Sequence, residues 1–192
     1  MNTLLRWCST GSRWLAWSGG LALLLSAGLI SLDVIFRAIW KVNYFESFEL
    51  STYAFAIATS MGMAYALVSK AHIRIELVYI KLSPKWRAWL DVWAYVGFAI
   101  VSLVLFYWCA QTVIGNMESG ARSNTSLAIP LAIPQGLWLL GLAWLALISS
   151  LFAIFGLIKV MTGRHEEANA RLGMATLQEE IEAGTGKENQ QC

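Results

Sequence analysis

Charge is scarce in this sequence. Of 192 residues, 12 are acidic and 14 basic, so only 14% carry charge, against about 25% in an ordinary soluble protein. Histidine appears twice and proline three times. The three cysteines, Cys8, Cys109 and Cys192, stand far apart, with neither metal-ligand spacing nor a disulfide framework. No glycine-rich phosphate loop is present, no His-Glu zinc pattern, and no Ser-His-Asp set on one side of the chain. Nor does any segment between the apolar runs have the length to bury a core of its own. A separate catalytic domain is thereby excluded, and the chain is read as a non-enzyme with no cofactor, no metal and no nucleic-acid partner.

What fills the chain instead is hydrophobic residue, 57% of it. Four uncharged apolar runs cover approximately residues 14–32, 50–69, 92–114 and 136–158. A helix rises about 1.5 Å per residue, so roughly 20 residues cross a hydrocarbon core about 30 Å thick. A backbone in oil must satisfy its own hydrogen bonds, which makes helices of such runs. The expected fold is therefore all-α: an integral membrane protein of four transmembrane helices, with spans near 14–36, 47–69, 89–114 and 134–159. Residues 1–161 form the membrane domain and 162–192 a partly disordered tail. Residues 6–32 are not read as a cleaved leader, because the apolar run outlasts a signal core of about 7–15 residues and no small-x-small cleavage site follows.

Lysine and arginine set the orientation. Arg6 and Arg13 precede the first run; Lys70, Arg74, Lys81, Lys85 and Arg87 lie between the second and third; Lys159, Arg164, Arg171 and Lys187 follow the fourth. The opposite side holds only Arg37, Lys41 and Arg122. By the positive-inside rule both termini and the middle loop are cytoplasmic. The tryptophans agree, with Trp7, Trp14, Trp17, Trp86, Trp89 and Trp93 at inner helix ends and Trp40 and Trp108 at outer ones.

Few polar groups are left to do anything specific. Asp33 and Arg37 are four apart, on one helix face, and read either as an intrahelical pair or as a pair that meets a partner subunit. Ala54, Ala58, Gly62 and Ala66 make a small-residue stripe, for packing within the chain or against another protein. Asn43 is expected to cap the second helix with Glu46 at its third position, and Glu46 and Glu49 suit the positive end of the helix dipole. The loop 70–87 alternates apolar and charged residues as an amphipathic helix does, which places Lys70, Arg74, Lys81, Lys85, Arg87, Trp86 and Trp89 among lipid headgroups. In the outward loop, Pro130 and Pro134 fix the direction in which the chain enters the last helix. Glu118 and Arg122 are its available charges. The tail turns acidic, with Glu166, Glu167, Glu179, Glu180 and Glu182.

Several of these elements fall into a known order. Asp33-Val-Ile-Phe-Arg37 is followed by Phe48-Glu49-Leu-Ser, Gly62, Ala71-His72-Ile-Arg74-Ile-Glu76-Leu, and Ile129-Pro130…Ile133-Pro134-Gln-Gly136. Over residues 15–161 this resembles the small membrane subunit of tripartite ATP-independent periplasmic (TRAP) transporters. Glu76 stands where the family more often has Asp, and the charge is kept. The resemblance implies a multi-pass protein of the bacterial inner membrane that pairs with a large multi-helix permease subunit. An extracytoplasmic, periplasmic binding protein delivers the substrate, an organic acid, and a sodium gradient drives transport. It implies a scaffold role beside a large subunit that moves as an elevator.

On that view Asp33, Arg37, Ala54, Ala58, Gly62 and Ala66 become candidate contacts with the large subunit. Glu46, Glu49, Glu118 and Arg122 become candidates for the binding protein. Two other classes compete: a free-standing small channel or transporter, and a membrane assembly protein. The first is disfavoured because the centres of all four runs lack Asp, Glu, Lys, Arg and His, whereas an ion pathway or proton relay usually shows one.

Overall fold

The computed structural model describes residues 2–41, 46–69 and 83–163. They fold into four helices: α1 (Asn2–Trp40), α2 (Ser47–Val68), α3 (Pro84–Ser119) and α4 (Ala132–Met161). All four are long and apolar enough to cross a membrane. The chain is an all-α membrane protein. The helices outrun the apolar runs: α1 has 39 residues, a length of about 58 Å at 1.5 Å per residue. Helical hydrogen bonding continues past the apolar stretch because nothing between residues 2 and 40 breaks it; no proline occurs there.

The chain divides into two compact units, Met1–Ile73 with Gly97–Leu151, and Arg74–Val96 with Phe152–Cys192. In the first unit α2 runs back along α1. The pairs Asp33/Ser47, Gly19/Ala58 and Ser18/Met61 advance in opposite directions along the two helices. The approach is closest at Gly19, where a Cβ would lie 2.9 Å from the Cα of Ala58. On another face of α2, a Cβ on Gly141 of α4 would lie 2.8 Å from the Cβ of Ser60. Missing side chains let backbones touch, which matters where lipid tails supply no hydrophobic drive between helices.

Hydroxyls and amides stitch the same unit together. Ser102 and Ser149, both buried, share a 2.7 Å hydrogen bond. Trp144 donates through Nε1 to Ser12 Oγ at 3.0 Å, and Asn116 Nδ2 to Gln135 Oε1 at 2.7 Å. Each such bond between membrane helices contributes about 0.6 kcal/mol.

In the second unit Ala88, Val92 and Val160 form a small core with Trp89 and Val96 against it. Tyr95 and Phe152 stack there with centroids 5.6 Å apart. Asp91 and Lys159 are buried in this unit, and both are engaged by partners. The Lys159 ammonium also lies 5.8 Å from the centre of the Phe155 ring, within cation–π range.

Candidate partner interface

Asp33 carries the α1 end of the site. Its carboxylate is almost completely buried, 1% exposed, and its Oδ2 accepts from Arg37 Nη2 at 2.7 Å and from Ser47 Oγ at 2.6 Å. The Asp33–Arg37 pair is therefore intrahelical, as the spacing of four allows, and Ser47 extends it across the 41–46 connection to the start of α2. Oδ1 is buried without a partner among the described residues. Arg37 itself is half exposed. A concavity of about 440 Å³ opens beside the pair, lined by Ile30, Val34, Ala38 and Phe48 as well.

Glu46 and Glu49 serve the interior of the chain. Helix α2 begins at Ser47, so Glu46 occupies the cap position itself and makes no side-chain capping bond. This corrects the expected box, in which Glu46 stood at the third helical position; Asn43 lies outside the described residues. The side chain of Glu46 instead accepts a hydrogen bond from Ser126. Glu49 is buried and accepts from Thr125 Oγ1 and, at 2.6 Å, from Tyr53 OH. Both oxygens of Glu49 are thus engaged by the chain's own hydroxyls.

The hydroxyls of Thr125 and Ser126 sit at the tip of the loop 120–131, which folds back on itself. Ser123 N donates to Ile129 O at 2.9 Å and Leu131 N to Ala121 O at 3.0 Å, an isolated antiparallel bridge between Arg122 and Pro130. Arg122 Nη1 closes the pinch on Ala128 O at 3.1 Å. Pro134 falls in the first turn of α4, where its missing N–H costs nothing. Glu118, Arg122 and Asn124 are among the exposed side chains of this region, together with Leu127. Phe48, one residue from Glu49, is 83% exposed.

The small-residue stripe is only partly open. Ala58 is buried against Gly19 of α1, while Ala54, Gly62 and Ala66 are half-buried. The open concavity is instead the groove between α1 and α2, about 1170 Å³ in volume. Arg13, Trp17 and Tyr65 mark one end and Ile30, Ser51 and Thr52 the other, with Gly20, Leu24, Ala27 and Phe55 between. Of the expected headgroup contacts, Lys70, Arg74 and Lys81 lie outside the described residues, as does the 71–77 motif. Lys85 and Trp86 are exposed at the start of α3, whereas Arg87 and Trp89 are half-buried.

Among the described residues no cluster of His, Cys, Asp or Glu has the proximity to hold a metal. A family profile described as "Tripartite ATP-independent periplasmic transporters, DctQ component" matches residues 26–159. The chain belongs to the DctQ family. Comparison with curated proteins and with solved structures finds no match to it. A DctQ component is the small permease subunit of a TRAP transporter, a multi-pass protein of the bacterial inner membrane. The match embraces the Asp33/Arg37 pair, the stripe on α2 and the loop 120–131.

Sequence reasoning missed the uses of several residues of this DctQ chain. Ser47, Thr125 and Ser126 act as donors to acids, and the signal available was only hydroxyl residues near the start of α2 and within the loop 120–131. Asp91 and Lys159 are buried although each borders an apolar run, where a charge reads as a headgroup contact.

Proposed function

We propose that this chain is the scaffold subunit of a sodium-gradient-driven uptake system for organic acids. It seats a large multi-helix permease subunit and presents its outward loop to a periplasmic substrate-binding protein. The observation that carries this reading is membership of the DctQ family over residues 26–159. The groove between α1 and α2 is the face assigned to the large subunit, because it is an open concavity of about 1170 Å³ walled mostly by apolar side chains. Arg37, half exposed beside that face, is its charged margin. Glu118 and Arg122 take the binding-protein side, with Glu46 and Glu49 acting behind them as residues that position the loop. Both termini are assigned to the cytoplasm, which places the loop 120–131 outside.

The test is isolation of the tagged chain from its native membrane, followed by reconstitution. A large multi-helix permease should copurify in one-to-one ratio. Proteoliposomes holding both should take up an organic acid only with the binding protein outside and an inward sodium gradient. Flux from the small chain alone would replace this reading with a free-standing channel. Charge reversal at Arg37 should lower recovery of the complex, and reversal at Arg122 should lower uptake with recovery intact.

A further inference from the structure

We propose that the indole cluster at the start of α3 is a binding site for the headgroup of an anionic phospholipid. Trp86, Trp89, Leu90 and Trp93 recur at three and four residues, so they share one face of the helix. With Lys85 they line a cavity of about 460 Å³. Trp89 forms its fixed wall, since its other side packs on the core of Ala88, Val92 and Val160. Trp86 and Trp93 stand on either side, 64% and 66% exposed.

The chemistry of the lining selects the occupant. Lys85 supplies an ammonium with three donors and each indole supplies one N–H, which can donate but not accept. Among the described residues that line it, none is Asp, Glu, Asn, Gln, Ser or Thr. Among the described residues, no acceptor pairs with these three indoles. A cavity walled by donor-bearing rings beside one positive charge fits an acceptor-rich anion, and phosphate is the anion abundant at headgroup depth. Indole faces alone would also attract the ammonium of a zwitterionic lipid. Lys85 opposes that, because its own charge repels a second cation in the same space. The site therefore takes a phosphate whose headgroup carries net negative charge, as in a phosphatidylglycerol, with the glycerol backbone against the rings. Its level suits this: α3 starts at Pro84 and its apolar run begins near residue 92, so 85–90 lie in the interfacial layer.

Native mass spectrometry of the purified full chain, offered equal amounts of phosphatidylglycerol and phosphatidylethanolamine, tests the assignment. Retained phosphatidylglycerol should exceed phosphatidylethanolamine roughly fivefold, the contribution of one lysine near an anionic surface. Lys85→Glu should abolish that preference, and Trp86→Ala with Trp93→Ala should reduce retention of both lipids. Lys41→Glu, at an exposed lysine at the other end of α1, should leave the preference unchanged. Equal retention of the two lipids by the native chain overturns the site. So does an unchanged preference in Lys85→Glu, or an equal loss in Lys41→Glu, which would mean general charge attraction. Quenching of tryptophan fluorescence by brominated phosphatidylglycerol gives a second readout on folded material. It should fall in Trp93→Phe by more than one tryptophan's share of the ten in the chain if the lipid sits in the cluster; a loss no larger than that share places the lipid elsewhere.

Discussion

Thr125 donates a hydrogen bond to the Glu49 carboxylate across 76 residues of sequence, tying the tip of the loop 120–131 to the first turn of α2. Tyr53 holds the same carboxylate from one turn along α2, at 2.6 Å, and Ser126 repeats the arrangement on Glu46. A carboxylate with several charge-assisted donors is a firm anchor. The loop is thus held at two adjacent points.

Removing the anchor should free the loop without unfolding the helices. Glu49→Ala in right-side-out membranes should be cut by trypsin at Arg122 several-fold faster than the native chain. Thr125→Val should give a smaller increase, because Tyr53 still orients the acid. Equal cutting of all three proteins would mean that the loop is held by its own backbone pinch instead.

The neighbouring glycines Gly19 and Gly20 should behave oppositely. A side chain at 19 meets the backbone of Ala58, whereas one at 20 meets nothing within 4 Å and points into the open groove. Gly19→Leu should destabilise the isolated subunit by about 1–3 kcal/mol, the usual cost of overpacking, read as a lowered Tm in detergent. Gly20→Leu should leave the Tm of the isolated subunit within error and lower recovery of the large subunit. If Gly20→Leu has no effect on recovery, the groove is not the seat of the permease.

The contrast between these glycines also shows how far the sequence was legible. Four helices followed from the apolar runs, because in a bilayer hydrophobic length leaves no other structure open. The Asp33–Arg37 pair followed from a spacing of four. The partner of Ala58 did not, since the period of the α2 stripe marks a face suited to close approach and says nothing of which helix approaches. Glu49 shows a related limit. Its helix position says nothing of its partners, and only the fold of residues 120–131 brings Thr125 to it. Asp91 and Lys159 border apolar runs, where burial depends on neighbours far away in sequence.

Ser47 should matter more than its size suggests. It bridges α2 to Asp33 at 2.6 Å in a site where both residues are buried. Hydrogen bonds to charged groups contribute about 1.5–3 kcal/mol, so Ser47→Ala should lower stability by about 2 kcal/mol. In Asp33→Asn the serine keeps an acceptor while Arg37 loses its ion pair, so adding Ser47→Ala there should cost less than it does in the native chain. A double-mutant cycle on thermal unfolding measures the difference, and strict additivity would show that the two side chains are not coupled.

The orientation makes a prediction that needs no partner. Eleven of the chain's lysines and arginines fall on the side assigned to the cytoplasm, against Arg37, Lys41 and Arg122 on the other, an asymmetry that sets topology when it lies near the span ends. Asn124 and Lys85 are both exposed and sit on opposite assigned sides. In a background with Cys8, Cys109 and Cys192 changed to serine, Asn124→Cys should react with a membrane-impermeant maleimide on intact spheroplasts. Lys85→Cys should react only after the membrane is opened. The reverse pattern would put the loop 120–131 in the cytoplasm, where no periplasmic protein can reach Glu118 or Arg122, and that half of the functional proposal would fall. Partial labelling at both positions would mean two orientations in one membrane, and would remove the charge asymmetry as the determinant.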